Sequence, residues 1–186
     1  MHQIITKSLL LLTIVLAIVA IATPDWEVKS GTVLGQAASA NMGLFKACGE
    51  GSAGGVSTTS CASIPPSGSG DKGKDLKACQ GLGIASVCFL FVALGCEFVE
   101  GNKSCRMIGT VSYLVGLILM IACVSLYAAK IKESGTKYGY SFDLAIGAIV
   151  AGVFAGVSAV LSGAYGPHGH LRPGLRPPRL HRQTAV

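Results

Sequence analysis

The chain has 186 residues, 51% of them hydrophobic and 13% charged, with a formal charge of +6. The charges crowd into gaps between long apolar runs, which is a membrane distribution, and four such runs leave too little chain for a separate soluble domain with its own core. Because the basic residues lie in short loops and a tail beside those runs, the lipid bilayer is the expected partner and nucleic acid is not.

The first apolar run is Ile4 to Thr23, long enough at about 1.5 Å per residue to cross a hydrocarbon core of about 30 Å. A single Lys7, a short apolar stretch and the step Ala20-Ile21-Ala22 also fit a cleavable signal peptide, so pattern alone leaves span and leader open. A polar segment, 24–77, follows. It opens with Asp25-Trp26-Glu27-Val28-Lys29, whose alternation predicts a short strand, and it carries Cys48 and Cys61, the candidate disulfide framework. The stretch from Gly49 to Gly73 is rich in Gly and Ser, which cost much ordering entropy and pack little, so a rigid wall is not expected there.

Three more runs follow, Ala78 to Phe98, Met107 to Ala129 and Leu144 to Tyr165. Uninterrupted apolar runs of this length must be helices, because in lipid every backbone N–H and C=O has to be satisfied within its own segment. Between the second and third lie Cys96 and Cys105, candidate palmitoylation sites, and the sequon Asn102-Lys103-Ser104. Cys79, near the outer end of the second run, would make the disulfide pairing ambiguous if exposed and would be inert if packed. The fourth run carries Ala148, Gly152 and Gly156 at four-residue spacing, with Ala155, Ala159 and Gly163 on an adjacent row. Small residues so arranged let helix backbones approach, and packing inside the bundle is the expected use.

Lys and Arg in the loops do not settle orientation. Arg172, Arg176, Arg179 and Arg182 after the last span favour a cytoplasmic tail and, with four spans, a cytoplasmic start. The 24–77 segment and a smaller 130–143 loop are then extracellular, and the sequon is internal and unglycosylated. The membrane domain is 1–166, and 167–186 is a cytoplasmic Arg- and Pro-rich tail. It ends Thr184-Ala185-Val186, a hydroxyl two places before an apolar residue with a free carboxylate, which fits a PDZ groove.

A Trp just beyond the first helix, then Gly43-Leu44-Phe45-Lys46-Ala47-Cys48 and a second cysteine at Cys61, resembles the first-loop signature of the claudin superfamily. That superfamily includes the peripheral myelin protein, the epithelial membrane proteins and the calcium-channel gamma subunits. The likeness continues at Asp75-Leu76-Lys77-Ala78-Cys79-Gln80-Gly81-Leu82, at Gly116 to Ala122, and at Tyr138-Gly139-Tyr140-Ser141-Phe142, covering roughly residues 4 to 165. Phe45 stands where the family usually has Trp, and Gln80 where claudins usually have Arg. The resemblance implies an all-α membrane protein: a left-handed four-helix bundle with an uncleaved first helix and a small extracellular antiparallel sheet closed by a Cys48 to Cys61 bridge. Trp26 with Phe45 is a candidate anchor for that sheet at the membrane interface.

No ionisable residue lies in the middle of any span, which argues against a pump or coupled transporter. His2, His168, His170 and His181 have no ligand partner at metal spacing, and nothing resembles a nucleophile with its base, so no catalytic residue, metal or cofactor is expected. The leading expectation is a non-enzymatic structural and adhesive protein of cell junctions in the plasma membrane, which contributes to a paracellular barrier. Its expected partners are like or related four-span proteins through the extracellular segment and helices, and a PDZ scaffold through the tail. The alternative is an auxiliary subunit modulating a channel or receptor. A third reading, a paracellular ion path with Asp25, Glu27, Lys29 or Glu50 setting selectivity, ranks last because those charges are few and mixed in sign.

Overall fold

The computed structural model describes residues 2–33, 36–53, 56–64, 71–99, 103–132 and 135–165. Four helices carry the fold: α1 (His2–Ala22), α2 (Asp71–Phe98), α3 (Lys103–Leu126, prolonged by a π-helical turn, Tyr127–Ile131) and α4 (Tyr140–Tyr165). All four are long and apolar enough to cross a membrane. The second helix begins seven residues before the apolar run expected from Ala78, and the lysines Lys72, Lys74 and Lys77 ride on its first turns.

The packing is that of a bundle surrounded by an apolar medium. Inward positions are filled largely by small residues, among them Ala17, Ala20, Cys79, Ser86, Ala93, Cys123, Ala145, Ala148 and Ala155. Large apolar side chains such as Leu11, Ile84, Phe91, Ile118, Val153 and Phe154 point outward. A water-soluble helix reverses that arrangement. Small inward residues bring backbones close where no hydrophobic force separates inside from outside.

In α2 the buried positions are 76, 79, 83, 86, 90 and 93, an unbroken 3-4-3-4-3 spacing. Opposite it, α3 buries Gly109, Gly116 and Cys123 at seven-residue steps. A Cβ on Gly116 would press on the Ser86 carbonyl and Leu90 at about 3.1 Å, and one on Gly109 would meet Cys96 Cβ at 2.9 Å. Cys79 with Cys123, Ser86 with Gly116 and Ala93 with Gly109 are successive rungs of one antiparallel seam. The other close pair is α1 with α4.

At one end of the bundle sits an antiparallel sheet of order β4-β3-β2-β1-β5. Its strands are β1 (Glu27–Val33), β2 (Gln36–Met42), β3 (Lys46–Ala53), β4 (Val56–Ser63) and β5 (Lys137–Tyr138). Two features were not read from the sequence. Within the Gly- and Ser-rich stretch, 49–53 and 56–63 are strand, because β3 and β4 pair in register over eight residues and Cys48, opposite Cys61, is bonded to it. Within the 130–143 loop, Lys137 and Tyr138 join the sheet by pairing with Val28 and Glu27.

Candidate functional site

At the joint between sheet and bundle lie Trp26, Gly43, Leu44 and Phe45, four of the residues singled out by pattern in the polar segment. Trp26 is wholly buried, 0% exposed. Its indole N–H donates to the Ala20 carbonyl at 2.6 Å. Ala20 belongs to the last turn of α1, whose carbonyls have no partner within the helix, so the tryptophan caps the helix it follows. Thr23 adds a second cap, its hydroxyl donating to the Val19 carbonyl at 2.6 Å. Trp26 therefore sits inside the core rather than in an interfacial aromatic belt.

Around the indole lie Tyr127, ring centroid 4.9 Å away, and Phe142, edge-on at 5.9 Å. Tyr138 stacks on the far side of Phe142 at 4.2 Å and carries Lys132 Nζ over its own face at 4.0 Å. The Tyr127 hydroxyl reaches the buried Glu27 carboxylate, donating at 3.4 Å. One aromatic stack thus joins β1, the end of α3, β5 and the start of α4.

Two glycines are fixed by this joint. A Cβ on Gly43 would lie 2.6 Å from Pro24 Cα and 2.7 Å from the Thr23 carbonyl oxygen. A Cβ on Gly139 would collide with the Asp25 carbonyl. Around Gly139 the backbones of 24–26 and 138–142 interlock: the Gly139 N–H donates to Trp26 O at 3.1 Å, and the Ser141 N–H donates to Asp25 O at 3.0 Å. The Ser141 hydroxyl accepts from the Asp25 N–H at 3.2 Å and shares a hydrogen bond with the Thr23 hydroxyl at 2.7 Å. The Asp25 carboxylate accepts from Asn41.

Leu44, also fully buried, plugs the space beside Trp26, and its carbonyl accepts from Gln80 Nε2 at 2.6 Å. Gln80 on α2 therefore holds the 43–46 turn, a role sequence reasoning did not assign to it. Phe45 is half-buried against the same core, and its carbonyl accepts from the Ile64 N–H at 2.9 Å. Cys48 and Cys61 lie farther out, where their bridge ties β3 to β4.

The other candidates are spread elsewhere. Gly152 and Gly156 face into the bundle, against Leu117 and Tyr113, and the Tyr113 hydroxyl donates to the Gly152 carbonyl. Ala155 is buried but Ala159 is exposed, so their common row is not one packing face; Gly163 lies in α4. Cys96 and Cys105 face each other at the end of the bundle opposite the sheet. There Lys7 Nζ stands 5.5 Å above the Phe98 ring. Asp25 and Glu27 are engaged inside the joint, whereas Lys29 and Glu50 lie on the exposed surface of the sheet. Thr184, Ala185 and Val186, the tail arginines and Asn102 fall outside the described residues.

A shallow groove on the sheet, lined in part by Lys29, Asn41, Met42, Cys48 and Thr136, is small and open. Among the described residues no group of three or more His, Cys, Asp and Glu stands close enough to hold a metal ion. What the arrangement can do is mechanical: it presents a disulfide-stapled sheet at a fixed attitude on a four-helix base. In comparison with known proteins, the sequence matches no family model and no curated protein.

Proposed function

We propose that the chain is a claudin-like membrane protein of cell contacts, which displays the sheet outside the cell as an adhesive surface and tethers the assembly inside through its tail. The observation that carries this reading is the interlocking of Pro24-Asp25-Trp26 with Gly139-Tyr140-Ser141-Phe142 through Gly139 and Ser141. It fixes the sheet rigidly on the bundle, as a surface that must meet a partner in register requires.

A cross-strand disulfide persists on the oxidising side of a membrane, which supports a reading with the sheet outside, and the arginines of the tail support a cytoplasmic tail. The first helix is retained in this reading, because Leu10, Thr13, Ile14, Ala17, Ala20 and Ile21 fill the bundle and would leave it open if cleaved away.

The adhesive surface is the part of the sheet far from the joint, where β3 and β4 carry Ser and Thr and little charge. With two of the four selectivity candidates engaged in the fold, an ion path gains no support. Freeze-fracture electron microscopy of cells expressing the protein tests the proposal. Strands or clustered particles confined to contacts are the expected result, and particles spread evenly over free and apposed membrane would overturn it.

A further inference from the structure

We infer that Cys79 and Cys123 form a second disulfide, inside the bundle, which locks α2 to α3 beneath the sheet. The two sulfurs stand 2.8 Å apart, and each also points at the other's backbone carbonyl, at 3.2 and 3.3 Å. Both side chains are fully buried. That separation is well inside the distance at which unbonded atoms of this size attract, and about 0.8 Å of closure brings it to a disulfide's length of about 2.05 Å. The approach is dictated by the seam, of which Cys79 and Cys123 are the last rung.

The bond forms by exchange. A disulfide-bearing protein oxidoreductase, the class of donor that closes Cys48–Cys61, is attacked by one cysteine as thiolate, giving a mixed disulfide. The second thiolate then attacks the first sulfur and expels the donor as a dithiol, so the cysteines lose two protons and two electrons and the donor gains them. This takes place before α2 and α3 close, since afterwards neither sulfur is accessible. The closed bundle then shields the bond from reductants. The inference rests on the reading that the sheet end faces the oxidising side. The facing pair at the other end of the same hairpin, Cys96 and Cys105, stays reduced for the same reason.

Counting thiols in the full-length protein tests this. Protein from intact cells is denatured at acid pH and alkylated with a polyethylene-glycol maleimide, with or without prior reduction. The wild type is expected to take up three adducts unreduced, at Cys88, Cys96 and Cys105, and seven after reduction. In a Cys88→Ser, Cys96→Ser, Cys105→Ser background, none is expected before reduction. Two adducts mapped to Cys79 and Cys123 would overturn the inference while leaving the sheet's orientation standing; four adducts would overturn both. Adding Cys79→Ser to that background should expose Cys123 alone. An adduct on Cys48 or Cys61 instead would mean that Cys79 pairs with the sheet, and the assignment would fail.

Discussion

The indole N–H of Trp26 donates to the carbonyl of Ala20 at 2.6 Å, so the residue just ahead of β1 also finishes the first helix. This bond is one of several that join sheet to bundle. Trp26→Ala should cost about 3–5 kcal/mol by emptying a buried site, whereas Trp26→Phe keeps a ring and loses chiefly the cap, at about 1–2 kcal/mol. Thermal unfolding in detergent, followed by circular dichroism, checks both the order and the gap between the two variants.

The glycines should divide by what surrounds them. Gly43→Ala and Gly139→Ala set a methyl group against fixed backbone and should each destabilise by at least about 1–3 kcal/mol, with loss of yield at the cell surface. Gly31→Ala, in open space on β1, should change stability by less than about 1 kcal/mol. Surface biotinylation alongside the melting temperature of each variant makes the comparison.

Gln80 holds the turn at Leu44 by a donated hydrogen bond. Gln80→Leu should cost about 1 kcal/mol and speed hydrogen exchange of the amides at 43–46, while Gln80→Arg, which keeps a donor, should exchange nearly as the wild type does. Equal exchange in all three proteins would mean that the contact holds nothing.

Gly152→Leu and Gly116→Leu should open the bundle, because each would force a side chain into a neighbouring helix: Leu117 and Tyr113 in one case, Ser86 and Leu90 in the other. A loss of about 1–3 kcal/mol or more is expected for each, against little change for Val153→Ala on the outward face. Resistance to unfolding by sodium dodecyl sulfate, read as retained helix-dependent mobility, separates these outcomes.

Removing the sheet's staple should act locally. Cys48→Ser with Cys61→Ser should weaken β3 and β4 by about 3 kcal/mol in the chain-entropy picture, leaving α1 to α4 as protected from exchange as before. Hydrogen exchange resolved by peptide checks that the loss stops at the joint.

The helices were legible in the sequence because an apolar run is a one-dimensional signal, read without knowing what it packs against. The bridge between the two outer cysteines was legible as a pattern, and so were Trp26 and Gly43, although the contacts of these last two were not. Nothing in the order of residues says that Trp26 turns back to Ala20, or that Gly43 is glycine because Pro24 lies against it. The strands in the Gly- and Ser-rich stretch were hidden because their propensity is low and their order comes from cross-strand register and a covalent bond. β5 was hidden because two residues carry no periodicity. The Cys79 and Cys123 pair, 44 residues apart, emerges only when the α2 and α3 seam sets their register.

The central claim is that the stapled sheet stands outside the cell on a bundle that crosses the bilayer. Acylation of lysines on intact cells with an impermeant ester, read by mass spectrometry, tests it most directly. Lys46, exposed on β3, should be modified at once, and Lys7, near the opposite end of the bundle, only after the cells are opened. Modification of Lys7 on intact cells with Lys46 protected would invert the molecule and contradict the account.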